Sequence, residues 1–143
     1  MANSYGTATA LSGNANSLAN GAYVSLGVID FSSTPPSDCL VRASMQAAST
    51  PSTTTSRSVI IYARSSLDGT TYSDDGATAN ERNLTRLGFV SLVDTAAHVS
   101  KALSLALAFG ALPPKVEIIV RNDTGVALAA SGQTGQYVTV TYG

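Results

Sequence analysis

Along residues 98–109 the bulky apolar side chains fall on every second position: Val99, then Leu103, Leu105, Leu107 and Phe109, with Ser100, Ala102, Ser104, Ala106 and Ala108 between them. A period of two is that of a strand with one buried face. The alternation returns several times at strand length, and no segment sustains an apolar stripe of helical period. The chain is therefore expected to be all-β.

The expected strands follow from this pattern and its punctuation. Residues 22–31 place Ala22, Val24, Leu26 and Val28 on one face and Tyr23, Ile29 and Phe31 on the other, and the Pro35-Pro36 pair closes the segment. Residues 39–47 turn Val41, Ala43 and Met45 one way and Arg42, Ser44 and Gln46 the other. Residues 58–64 carry Val59, Ile60, Ile61 and Tyr62 without interruption, as in a central strand covered on both faces. Strands are also expected over 84–93, 98–109, 115–121, 126–130 and 137–142, which makes eight. The longest loop, 65–83, holds Asp68-Gly69, Asp74-Asp75-Gly76 and the run Asn80-Glu81-Arg82-Asn83. Such spacing favours a two-sheet antiparallel sandwich, with an eight-stranded jelly roll as the best single architecture.

Residues 1–21 are rich in Ser, Asn, Ala and Gly, with Tyr5, Leu11 and Leu18 as the large anchors. They are expected to form an extended N-terminal arm on a single domain spanning 22–143. The arm is expected to pack either on the domain itself or on a neighbouring subunit; in the second case removing residues 2–18 should leave thermal unfolding nearly unchanged, and in the first it should lower the melting point.

A chain of 143 residues can bury roughly 70% of its unfolded surface without disulfides. Charged residues are 12% of the total and the net charge is −1, so there is no basic footprint for nucleic acid or an anionic membrane. Cys39 is the only cysteine, so no intramolecular disulfide can form, and it reads as a small apolar strand residue. The first residues lack a secretion signal and no apolar run reaches the length of a membrane span, so synthesis in the cytoplasm is expected.

Groups that do chemistry are scarce. His98 is the single histidine, no Gly-x-Ser-x-Gly elbow is present, and no Gly-rich loop ends in Lys-Ser or Lys-Thr. Asp68, Asp74, Asp75 and Glu81 share one loop, but their spacing matches no calcium-ligand pattern. The chain is expected to be no enzyme and to use no cofactor or metal.

Two resemblances bear on function. The stretch at residues 59–72, Val-Ile-Ile-Tyr-Ala-Arg-Ser-Ser-Leu-Asp-Gly-Thr-Thr-Tyr, is similar to a signature of discoidin-like jelly rolls, with Tyr72 where those domains usually carry tryptophan. That likeness implies a glycan-binding module. Over residues 20–143 the chain resembles small jelly-roll virion proteins of tailed bacteriophages, including capsid decoration or cement proteins. The residues carrying this likeness are the Ala-Ser-Asn-rich arm, the same 59–72 stretch, Leu-Pro-Pro-Lys-Val-Glu-Ile-Ile-Val-Arg-Asn-Asp-Thr-Gly at 112–125, and the segment 127–142.

The virion resemblance implies a structural protein on the outer surface of the major capsid protein that also contacts copies of itself, a trimer being favoured. Its site would be the virion, with a neck or tail position or a surface glycan partner as the alternative. The residues expected to make partner or glycan contacts are Tyr5, Leu11 and Leu18 of the arm and Asp68, Tyr72 and Arg82 of the 65–83 loop.

Overall fold

The structure is a computed structural model that describes residues 2–72 and 84–143. In chain order its elements are β1 (Ser4–Tyr5), β2 (Thr9–Ala10), β3 (Tyr23–Asp30), β4 (Asp38–Met45), β5 (Ser58–Ser66), β6 (Thr85–Ser91), β7 (His98–Val99), β8 (Leu103–Ser104), α1 (Leu105–Phe109), β9 (Lys115–Asp123) and β10 (Thr134–Thr141). They form two antiparallel sheets. One has the order β1-β10-β4-β7, with β2 also on β10 and β8 also on β4; the other runs β3-β9-β5-β6. If β1 with β2 and β7 with β8 are counted as two interrupted strands, the ten strands reduce to eight, with sheet orders first-eighth-third-sixth and second-seventh-fourth-fifth. That is the two-sheet pattern of a jelly roll.

The core lies between the sheets and is filled by alternate residues of each strand. Cys39, Val41, Ala43 and Met45 of β4 meet Val59, Ile61 and Ala63 of β5 and Val116, Ile118 and Val120 of β9. The uninterrupted apolar run of β5 is buried on both faces, as its composition predicts. On the far side, Ile60 and Tyr62 join Ile119, Tyr23 and Leu84 in a second cluster, where the rings of Tyr23 and Tyr62 lie 6.2 Å apart at their centroids.

Four local expectations need correction. Residues 98–109 do not form one strand: β7 and β8 are two residues each, and Leu105–Phe109 makes a single helical turn. Ser104 caps that turn by accepting from the Leu107 N–H at 3.0 Å, and Gly110 closes it at φ +79°. Asp38 fixes the same turn from β4: its carboxylate accepts from Ser104 Oγ at 2.6 Å and from the Ala106 N–H at 2.9 Å. Alternating Leu and Ala tolerates either conformation, so the cap residues decided it.

Residues 126–130 supply only an isolated bridge, Ala47 to Leu128. Their backbone is divided between partners, Leu18 on one side and Gln46 and Ala48 on the other, and no continuous ladder can form. β10, in contrast, begins at Thr134, three residues before the strand expected over 137–142. In β3 a bulge between Ser25 and Gly27 shifts the register, so Leu26, Ile29 and Phe31 face the core while Val28 stays exposed. Gly27 sits at φ +131°, and a Cβ there would lie 3.0 Å from Ser12 Oγ. Only glycine suits that position.

The N-terminal segment is part of the sandwich. β1 and β2 pair with β10, and beyond them the chain crosses between the sheets. Leu11 donates to Gly135 O, Gly13 to Leu26 O and Ala15 to Gln133 O, so residues 11–15 lace one sheet edge to the other. Leu11 and Ala15 are buried in the main core. Low hydrophobicity did not keep this segment free, because backbone hydrogen bonds and two well-placed side chains hold it.

Deleting residues 2–18 is therefore expected to lower the melting temperature substantially. Leu11→Ala alone should cost about 2–3 kcal/mol, a drop of about 5–10 °C at roughly 2–4 °C per kcal/mol for a chain of this size. Calorimetry of both variants is the check; an unchanged melting curve for the deletion would contradict this packing.

Candidate functional site

The 65–72 loop grows out of the last residues of β5. Arg64 lies directly across the ladder from Glu117 of β9, and its Nε donates to Glu117 Oε2 in a pair that is almost wholly shielded from solvent. The Arg64 guanidinium also stacks on Tyr72, 4.7 Å from the ring centroid, while a Ser66–Tyr72 bridge closes the loop. Between these points the chain turns on Asp68 and Gly69. Asp68 Oδ1 accepts from the N–H groups of Thr70 at 2.8 Å and Thr71 at 2.7 Å and from Ser66 Oγ at 3.0 Å. Ser66 Oγ accepts from the Gly69 N–H at 2.8 Å, and Gly69 sits at φ +80°.

Those donors hold the exposed Asp68 carboxyl well below the usual carboxylate range, the backbone N–H groups of Thr71 and Thr70 contributing most. The turn is accordingly anchored above the ordinary pKa of an aspartate and loosens only when acid reaches the depressed value. Ser65, Leu67, Asp68, Thr71 and Tyr72 line a shallow cleft of about 410 Å³. Leu67 is 85% exposed at its rim. Since Asp68 spends Oδ1 on three donors within its own loop, its observed work is to shape a turn.

The expected contact residues occupy separate places. Asp68 and Tyr72 share this loop at the end of the four-stranded sheet. Tyr5 lies on the six-stranded sheet, 63% exposed and paired across the ladder with Val140. Leu11 is buried in the domain's own core, and Leu18 packs against it half-buried, its carbonyl accepting from Asn122 Nδ2 at 2.8 Å. Leu11 can thus meet a partner only if the arm leaves the sandwich. Arg82 lies outside the described residues.

Other side chains fill in the surface. His98 begins β7 with Nε2 2.8 Å from Asp94 Oδ1 on the exterior. Cys39 is fully buried, and burial, followed by the neighbouring Asp38, pushes its thiol up to about 12. Among the described residues no group of three or more His, Cys, Asp or Glu is placed to hold a metal, and no helix is long and apolar enough to cross a membrane.

Two surface features were not among the expected contacts. Phe89, Val93 and Val99 are each more than half exposed, and Phe89 and Val99 line a cleft of about 230 Å³ between β6 and β7. Arg42 stands exposed on the outer face of the six-stranded sheet. The alternation of residues 39–47 does turn Arg42 away from the core, but the surface around it is assembled from strands distant in sequence. No protein-family model, curated protein or solved structure matches the chain.

Removing one member of the buried ion pair leaves the other charge without its partner. Glu117→Ala is expected to destabilise the fold by about 3 kcal/mol, whereas the double variant Arg64→Met, Glu117→Leu should return to within about 1 kcal/mol of the parent. Urea denaturation of the set is the measurement. Equal losses in the single and double variants would show that the cost of Glu117→Ala does not come from an uncompensated charge.

Proposed function

We propose that this chain is a structural protein of a tailed-bacteriophage virion, a capsid decoration protein seated on the outer surface of the major capsid protein and in contact with copies of itself, most simply as a trimer. The observation that carries the proposal is a jelly-roll sandwich of low charge that keeps large apolar side chains outside, Phe89, Val93 and Val99 on one flank and Tyr5 and Tyr142 on another. A particle component needs a rigid fold and surfaces that can be covered by neighbours, and apolar groups of this kind favour burial against a partner. The fully buried Cys39 makes the fold independent of redox state. No catalytic role, cofactor, nucleic-acid partner or membrane contact enters the proposal, which implies synthesis in the host cytoplasm and residence in the virion. The cleft beside Tyr72 supports a second reading, a glycan-binding module on the particle surface.

The copy number of this chain relative to the major shell protein, measured by quantitative mass spectrometry of purified particles, tests the proposal. A ratio near one, or a simple fraction such as one third, is expected for decoration. A few copies per particle would move the protein to the neck or tail, and absence from the particle would overturn the virion reading.

A further inference from the structure

The outer face of the six-stranded sheet forms a trough. Because Val41, Ala43 and Met45 point into the core, β4 turns Leu40, Arg42 and Ser44 outward. β10 sets Val138, Gln136 and Thr134 directly opposite them. One bank of the trough is made by Tyr5, Ala8 and Ala10 of the N-terminal segment and the other by Val99 and Ala102 around β7 and β8. Between them lie two adjoining depressions of about 370 and 260 Å³, which share Arg42 and Gln136. From residue 40 to residue 44 the floor extends about 13 Å at roughly 3.3 Å per residue.

Among the described residues Arg42 is the only charged one lining either depression. With the Gln136 amide oriented oxygen-first, that oxygen accepts from Nε and Nη2 of Arg42, and none of the ion pairs among the described residues includes Arg42. The trough therefore presents one uncompensated guanidinium at mid-length between apolar or small neutral side chains. Outward residues of β4 repeat every second position, which is also the repeat of a strand laid along them.

We infer that this trough is a docking surface for an extended segment of a partner polypeptide that carries one Asp or Glu at its middle, flanked by small or β-branched residues. The carboxylate meets the outer end of the Arg42 guanidinium, at Nη1, which Gln136 leaves open, and neighbouring side chains of the segment cover Leu40 and Val138. An exposed ion pair is weak by itself, so contact with the lining holds the segment while the charge selects it. A single cation is too few for a nucleic-acid backbone, whose binding relies on several phosphate contacts. The inference does not depend on the virion reading.

The test is an NMR titration of the ¹⁵N-labelled full chain with the blocked peptide acetyl-Thr-Val-Ser-Glu-Val-Thr-Val-amide and with its Gln-for-Glu counterpart, at low salt. Amide shifts are expected at Ala8, Arg42, Ala102 and Gln136. The Glu peptide should bind about tenfold more tightly than the Gln peptide, with that preference lost in Arg42→Gln and partly restored in Arg42→Lys. Melting curves of the variants, which alter an exposed residue, verify that they are folded. Equal binding of both peptides, an unaffected Arg42→Gln protein, shifts confined to the 65–72 loop, or no shifts at millimolar peptide would each overturn the inference. A galacturonate trisaccharide that moves the same amides when the peptide does not would replace the polypeptide with an acidic glycan.

Discussion

The rest of the molecule depends on the unbroken register between β5 and β9, which pairs nine residues of each strand from Ser58 with Asp123 to Ser66 with Lys115. One face of this ladder sets Val59, Ile61 and Ala63 beside Val116, Ile118 and Val120 at the centre of the main core. The other holds Ile60, Tyr62 and Ile119 in the second cluster and aligns Arg64 with Glu117. A slip of one residue would turn the outward face of one strand toward the core, separating Arg64 from Glu117 and placing one of the two charges in the apolar interior. The position of the 65–72 loop is inherited from the same register, because Arg64 holds Tyr72 against the end of the ladder.

The surface that follows from this core is neutral over most of its area but not uniform. The 65–72 loop satisfies its own polar groups, and the flank at Phe89 and Val99 is apolar. The outer face around Arg42 combines apolar lining with a single charge. The apolar flank and the outer face meet at Val99, which lines both, while the 65–72 loop lies at the end of the four-stranded sheet.

How much could be seen in the sequence depended on the range of the interaction. The uninterrupted Val-Ile-Ile-Tyr of β5 marked a strand covered on both faces, and Asp68-Gly69 marked a turn, because both signals are local. The sandwich class followed from repeated alternation. Residues 98–109 misled because Ser104 and Gly110 delimit a helical turn inside a pattern that also suits a strand. The arm's sequence suited packing on its own domain or on a neighbour equally well, because Leu11 and Ala15 need few neighbours of their own to join a core assembled by others. The Arg64–Glu117 pair and the Arg42 trough could not be read at all, since each depends on strands brought together from distant parts of the chain.

The pairing of β10 with β1, β2 and β4 has a consequence for the order in which the chain can fold. During synthesis β4 emerges long before the strand that lies beside it, and the N-terminal segment waits for the same late partner. The four-stranded sheet can be complete once β9 is made, while the six-stranded sheet remains open with its inner apolar face uncovered. Closing loops of that span is slow, and the waiting intermediate has exposed strand edges that can pair with another chain. β10 thus acts as the closing seam of the sandwich, and the interval before it arrives is one in which the waiting strands are open to misassembly.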